Sequence, residues 1–495
     1  MKQREQFDVV VIGAGIAASA SAITAVEKGA RVLMIEKAPK HEAGGNGRYT
    51  GGGFRIVHKG NSELYDYMTA IPESQRQLID INEYTEDEFY SDIMRVTNGM
   101  ADNSLTEMIV KESNKAFKWV DSLNLGWDVN YDMATRVGER MVFTQGAIPL
   151  NVKGGGEGFV DSMIEVAIKK GVEVRFETRA AKLLVDEDGA VCGVRTISKG
   201  EGQDIYANSV IIAAGGFSAN AEMRAKYLGK GWDLVKVRGS KHNTGEVIKM
   251  ALDVGAQATG EWSGSHCTQI DLSAEDVGGG LSTDRKSYTY GILVNTNGQR
   301  FFDEGEDFHG YTYAKLGRIT RDQPNGIAFQ VFDSKVFDLL MSDYSHQTPV
   351  EANTIEELAE KLDIPVETFK KTVEEYNAAV VDGEFNQAKR DGKHTEGLDI
   401  NKSNWAQKID QAPFRAYPVT SGITFTFGGV KVNKNGQVLD VTDQPIKGLY
   451  ANGELVGGFY IGNYPGGSGI VRNLVLGRKA GKHAAALADG MVKTN

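Results

Sequence analysis

The chain opens on a run, FDVVVI at 7–12, that is apolar but for Asp8, then glycines, then the small-residue stretch IAASASAITAVEKG, then a second short run, RVLMIE at 31–36. Such apolar runs bounded by glycine predict buried strands, here 7–13 and 31–36, and the stretch between them predicts a helix over 16–28. The order strand–helix–strand is that of a parallel βαβ unit. Periodicity then stops over EKAPKHEAGGNGRYTGGGFRI, and residues 60–150 read as mainly helical. A strand near 172 leads into a hairpin closed at Asp188–Gly189. NSVIIAAGGFSAN at 208–220 is a buried strand running into a glycine turn, and Asn297–Gly298 and Asn435–Gly436 predict further hairpin turns. Two helices are expected over 354–380, the first opened by a Thr354/Glu357 capping box and the second with Pro365 in its first turn. The last helix is expected to start near Gly469 and run through IVRNLVLGRKAGKHAAAL.

A length of 495 residues calls for two or three domains. At 41% apolar and 24% charged residues the composition is that of a globular protein, and the net charge of −11 disfavours nucleic acid or an anionic membrane surface as partner. No run of 18 apolar residues predicts a membrane span, and the N-terminus enters a strand without a signal segment, so a cytoplasmic protein is expected. With only Cys192 and Cys267, neither an iron–sulfur cluster nor a disulfide framework can be built, and no metal site is expected.

The chemistry enters at Gly13, Gly15 and Ala18, the spacing Gly-x-Gly-x-x-Gly with Ala in third place. Gly13 permits the tight turn, Gly15 lets the backbone approach a pyrophosphate, and Ala18 lets helix pack on strand. The helix N-terminus faces the phosphates, and Glu36, 18 residues beyond Ala18, is placed for a ribose. The glycines that follow Glu36 fit a backbone wrapped around a flat, extended cofactor. A second dinucleotide such as NAD(P)H would need a second fingerprint, and VKGGGEGFV at 152–160 has the wrong spacing.

Taken with EKAPKHEAGGNGRYTGGG, VIIAAGGF, GQRFFDE, TFTFGGVKV and GLYANGELVGG…NYPGGSGIVRNLVLGRKAG, the fingerprint resembles the flavoprotein family of fumarate reductases, succinate dehydrogenase flavoprotein subunits and 3-ketosteroid dehydrogenases over nearly the whole chain. Within it, DEGEDFHGYTYAKLGR and NYPGGSG resemble the tricarballylate dehydrogenases. The resemblance implies an α/β fold: a Rossmann-like FAD-binding domain in two segments, 1–256 and 426–495, with an inserted α+β capping domain at 257–425. It implies FAD contacts from Gly13, Ala14, Gly15, Ala18, Glu36, Lys37, Gly45, Asn46, Gly52, Ala181, Ala214, Gly215, Glu454, Ser468 and Ile470. Tyr49 stands where covalently flavinylated members carry histidine, which implies dissociable FAD. The helix near Gly469 would turn its positive end to the flavin's pyrimidine edge.

Such a site exchanges a hydride with carbon and needs a proton donor or acceptor plus groups that polarise a carbonyl. The resemblance assigns substrate binding to His266. It aligns the proton-donating arginine of fumarate reductases near Phe308, where His309, Tyr311 and Tyr313 are the candidates. The second histidine of the dicarboxylate pattern is Phe425 here, and the substrate-clamping arginine is Tyr464, which is similar to the ketone-polarising tyrosine of ketosteroid dehydrogenases. Arg48, Arg55, Arg285 and Arg472 are candidates to meet a carboxylate. The expected activity is formation or reduction of a C=C bond beside a carboxylate or carbonyl, with a tricarballylate- or fumarate-like polycarboxylate first and a 3-oxosteroid or similar enone second. A flavoprotein electron-transfer subunit with little chemistry of its own is the alternative class. In each case a separate electron donor or acceptor is required.

Overall fold

In the computed structural model, which describes residues 5–144 and 146–488, the opening run forms β1 (Glu5–Ile12), the small-residue stretch α1 (Ile16–Glu27) and the next run β2 (Val32–Ile35). The helical reading of 60–150 holds for Glu86–Val96 and Asn103–Asp121, but four short strands lie between Trp127 and Val152. Those strands are three or four residues long and mostly half-exposed, so no two-residue alternation accumulates in the sequence to announce them. The expected strand and hairpin near 172–199 are β3 (Glu173–Arg175), β4 (Arg179–Val185) and β5 (Val191–Ser198), and the apolar run beyond them ends the twelve-residue β6 (Glu201–Ile212).

The middle of the chain builds a second sheet from β7 (Ser265–Asp271), β8 (Ile292–Asn295), β9 (Ile327–Asp333) and the thirteen-residue β10 (Phe414–Thr426). β10 is its organiser, pairing antiparallel with both β7 and β9. The two-residue strand Lys236–Val237 runs parallel to β10, so this sheet also recruits chain from before residue 257. Helix α2 (His309–Arg321) packs on β7. Helices α3 (Ile355–Leu362) and α4 (Val366–Ala379) bury Leu358, Phe369 and Tyr376 in a core of this sheet's own. The Thr354 hydroxyl caps α3 by accepting from the Glu357 N–H, while the Glu357 carboxylate takes the N–H of Asn353 rather than that of Thr354.

The chain then returns to the first sheet through β11 (Gln437–Leu439) and β12 (Pro445–Ala451) and ends in α5 (Ser468–Ala488). The first sheet runs β11-β12-β6-β1-β2-β3, parallel from β12 to β3, with β5 and β4 as an antiparallel flap on β6. Val9, Val10 and Val11 are fully buried at its centre, each worth about 1.5–3 kcal/mol of apolar burial. Small residues bring α1 and α5 close: a Cβ on Gly481 would stand 2.3 Å from the Ser21 carbonyl oxygen, and one on Gly477 3.0 Å from the Ala20 methyl. That contact aligns the N-termini of both helices with the carboxyl ends of the parallel strands, where ligands of open α/β sheets bind.

Candidate active site

Two cavities share a wall at the carboxyl ends of the first sheet. The first follows the fingerprint. Gly13 donates to the Ile35 carbonyl at 2.8 Å, and the Glu36 carboxylate accepts from the Ala14 and Ala38 N–H groups, both at 2.9 Å, fixing it at the tip of β2. Gly13 has φ +109, and a Cβ there would lie 2.5 Å from the Ala213 carbonyl oxygen. Ala14, Gly15, Lys37, Gly45, Ala214 and Gly215 line this cavity with Gly13 and Glu36. The remaining expected contacts are distributed otherwise. Ala18 is wholly buried in helix packing, the cavity is lined by Ala180 and not by its neighbour Ala181, and Gly52 packs on the Gly155 backbone. Ser468 is buried at the start of α5, while Ile470 faces the second cavity.

Asn46 and Glu454 stand on both cavities and tie them together. Glu454 accepts from the Asn243 amide at 2.9 Å and the Thr426 N–H at 2.9 Å, and Asn46 donates to it at 3.2 Å. Burial pushes its carboxyl above the usual range in spite of these bonds. The buried Asn243 Oδ1 has no partner. A glycine-walled groove, a carboxylate at each end and an orphaned amide oxygen fit an extended dinucleotide carrying hydroxyl donors.

The second cavity, about 400 Å³, lies between the two sheets. Its wall depends on one irregularity. His266 faces Phe425 across the β7–β10 ladder, but the next pair is Cys267 with Ile423, so Thr424 is an extra residue. Such a bulge frees one residue from the ladder and re-aims it. Here the Thr424 carbonyl accepts from the Asn46 amide at 2.7 Å and its hydroxyl from Arg238 at 3.2 Å. The His266 and Phe425 rings stack, with centroids 5.1 Å apart and planes at 25°. Tyr313 and Tyr464 meet His266 edge-on at 4.9 and 5.2 Å. His266 is 2% exposed with Nδ1 unpartnered, and burial pushes its imidazole down to about 3, so it stands neutral.

Helix phase sorts the three candidates on α2. His309 and Tyr313, four residues apart, share the face turned to the cavity. Tyr311 points away: its hydroxyl donates to Asp92 at 2.6 Å and accepts from Arg55 at 2.9 Å. His309 Nε2 lies 3.3 Å from the Met133 sulfur, and burial, with Lys286 and Arg55 adding, pushes it down to about 3. The Tyr464 oxygen accepts from the N–H groups of Gly467 at 3.0 Å and Gly469 at 3.4 Å, at the start of α5, which leaves its own proton to give.

Of the four arginines, three are committed to the fold. Arg48 pairs with Glu157 and Asp161, Arg285 with Asp271, and Arg55 donates to the Gly466 carbonyl at 2.6 Å. Arg472 does reach the cavity, laid against Phe459 and Tyr460 with its charge 5.4 and 5.2 Å from the ring centres. Two further cations escaped the sequence reading. Arg238 and Lys286 both line the cavity and both hold the fully buried Asp284, Arg238 Nη2 at 2.8 Å and Lys286 Nζ at 2.5 Å. The charged run TDRK at 283–286 was the available signal, and the neighbour Arg285 masked it.

A family model described as an FAD binding domain matches residues 8–471. A probable fumarate reductase of Shewanella frigidimarina is 29% identical over 97% of this chain and 75% of its own length. An NADH:fumarate oxidoreductase of Klebsiella pneumoniae is 30% identical over 98% of this chain but only 48% of its own length, so the chain spans about half of that relative. A vinyl phenol reductase of Lactiplantibacillus plantarum is 26% identical over 98% of this chain and 97% of its own. Among solved structures, the open conformation of a flavocytochrome c3 fumarate reductase superposes with a TM-score of 0.73 at 27% identity, covering 98% of this chain and 79% of that one. With the fingerprint cavity, the carboxylates at its two ends and this match over most of the sequence, the chain belongs to the FAD-binding flavoprotein family of the fumarate reductases and succinate dehydrogenases, and FAD is its cofactor.

Proposed function

We propose that this flavoprotein oxidoreductase acts on a C=C bond conjugated to a single carbonyl or carboxylate in a substrate with an apolar, ring-sized body. The observation that carries this reading is the four-ring wall of His266, Tyr313, Phe425 and Tyr464. When bound, FAD supplies the hydride chemistry. The chain's own residues position and polarise: the Tyr464 hydroxyl, its oxygen already accepting two amide N–H groups, donates to the substrate carbonyl oxygen, and neutral His266 presents Nδ1 beside it. The rings exclude water, which strengthens both hydrogen bonds.

A polycarboxylate of the tricarballylate or fumarate kind is the second reading, favoured by Arg238, Lys286 and Arg472 on the wall. Against it, Asp284 already holds two of these cations, and Asp132 and Asp343 line the same cavity. In this reading the FAD-binding domain comprises 1–256 and 426–495 and the cap 257–425, FAD is held non-covalently, and electrons come from a separate partner. We place the protein in the cytoplasm, where two cysteines outside any disulfide are at home. Among the described residues no helix is long and apolar enough to cross a membrane.

Anaerobic mixing of the dithionite-reduced enzyme with fumarate, trans-cinnamate and 4-androstene-3,17-dione tests the proposal. Reoxidation of the flavin absorbance by cinnamate or the steroid and not by fumarate supports it; reoxidation by fumarate alone refutes it in favour of the polycarboxylate. No reoxidation by any, with fast electron exchange to dyes, favours an electron-transfer subunit.

A further inference from the structure

Beyond the cavity already described lies a third space of about 350 Å³, lined by Thr135, Arg136, Thr144 and Gln387 among others. The two spaces meet at a neck whose residues line both: Asp132, Met133, Lys286, His309, Gly310 and Met341. A proton consumed in the inner chamber at each reduction has to be replaced through some such opening. Of the neck's side chains, Lys286 combines a transferable proton with a fixed position.

Its fixation is unusually complete. Asp284 is 0% exposed and holds Lys286 Nζ at 2.5 Å. Arg238 Nη2 donates to the same carboxylate oxygen at 2.8 Å, and Arg238 is itself held by the hydroxyl of the bulged Thr424. The ammonium thus rests over the face of Tyr313, 5.3 Å from the ring centre, with N–H groups left over for a ligand. The other candidates are worse placed. His309 and His266 are neutral in their buried settings, and His309 turns Nε2 to a thioether. Tyr311 is bonded to Asp92 and Arg55, and Asp132 to Ser342. Asp343, whose carboxyl burial pushes up to about 6, lines the inner chamber but is not among the residues of the neck.

We infer that Lys286 is the catalytic acid that protonates the substrate carbon next to the carbonyl, with Asp284 and Arg238 as its positioning residues. In the reductive direction one carbon of the C=C takes the hydride. The electron pair released by the double bond then takes a proton from the Lys286 ammonium at the other carbon, leaving a neutral amine. Water of the outer space returns the proton through the neck. In the oxidative direction the amine removes that proton. The inference rests on the C=C activity proposed above and holds for either substrate class.

The experiment compares wild type, Lys286→Ala and Tyr313→Phe, each loaded with FAD. Single-turnover reoxidation is followed with whichever of fumarate, trans-cinnamate or 4-androstene-3,17-dione the wild type turns over fastest. Binding of the corresponding saturated product is measured separately by calorimetry. Lys286→Ala is expected to slow reoxidation about 10²–10⁴-fold, the range of a lost general acid, while product affinity changes less than about threefold. Added ethylammonium is expected to restore part of the rate in Lys286→Ala and to have no effect on Tyr313→Phe. An undiminished rate in Lys286→Ala, a loss appearing only as weaker product binding, or a slow Lys286→Ala that ethylammonium leaves unchanged overturns the inference alone. A wild type that turns over none of the three probes removes the activity beneath it as well.

Discussion

Gly13→Ala is the sharpest probe of the cofactor cradle, because a second glycine supplies its control. Both Gly13 (φ +109) and Gly29 (φ +90) hold backbone conformations that L-residues avoid, at about 1–2 kcal/mol each. Around Gly29 a new Cβ meets nothing within 4 Å, so the backbone term is all that Gly29→Ala adds. At Gly13 the methyl would stand 2.5 Å from the Ala213 oxygen, 3.0 Å from its carbon and 3.2 Å from the Ala214 Cα, all backbone atoms that no rotamer change can move aside. Overpacking of this kind costs about 1–3 kcal/mol more. The strain falls on the turn between β1 and α1 and on the turn after β6, where Ala214 and Gly215 line the same cavity, so it appears in cofactor affinity as well as in stability. The difference between the variants corresponds to about 5- to 150-fold in FAD dissociation constant. Apoprotein titrated with FAD by fluorescence quenching, alongside urea unfolding, gives both quantities. A Gly13→Ala protein that binds FAD as tightly as Gly29→Ala refutes the assignment of this turn to the pyrophosphate.

Three further outcomes follow. Protein precipitated with trichloroacetic acid should leave its yellow colour in the supernatant, since Tyr49 offers no imidazole for a covalent flavin link; a coloured pellet contradicts this. His266 titrates near 3 in the fold against an ordinary 6.5, so the unfolded chain binds the extra proton and stability falls as pH drops from about 6.5 toward 3. Replacing His266 with Phe should flatten the fall of the urea midpoint between pH 6.5 and 4.5, and an unchanged slope would mean the ring is not desolvated. Asp132 accepts from the Ser342 hydroxyl at 2.8 Å and its N–H at 3.3 Å, fastening the 130–133 segment to the loop at the start of Ser342–His346. Asp132→Ala should cost about 1 kcal/mol, read as roughly fivefold faster proteolysis of that segment, with the overall unfolding midpoint unmoved.

What the sequence made legible was local. β1, α1 and β2 follow from runs whose meaning does not depend on the rest of the chain, and the fingerprint turn lies between them, so the cofactor end of the site could be read directly. The start of α5 at Ser468 was legible to within one residue for the same reason. The substrate side was not, because each choice there rests on a direction set by tertiary packing. Tyr311 and Tyr313 look alike in the sequence, and the phase of α2 against β7 turns one toward Asp92 and the other toward His266. Arg285 and Lys286 are adjacent in irregular chain, with no period to say which one faces inward. The short strands between Trp127 and Val152, which supply Met133's neighbourhood at the neck, form on a half-exposed surface where periodicity carries little information.

The surplus residue in β10 also limits how this protein can change. Along a strand, neighbours alternate sides; Phe425 pairs with His266 and Ile423 with Cys267, so shortening β10 by the one position at Thr424 would leave a regular ladder with the facing of both stretches unchanged. What would go are the carbonyl that holds the Asn46 amide and the hydroxyl that meets Arg238, the ties Thr424 makes to the cofactor side and to the cation beside Asp284. Side chains lining the chamber can be exchanged one at a time to suit a new substrate; the number of links in this strand cannot.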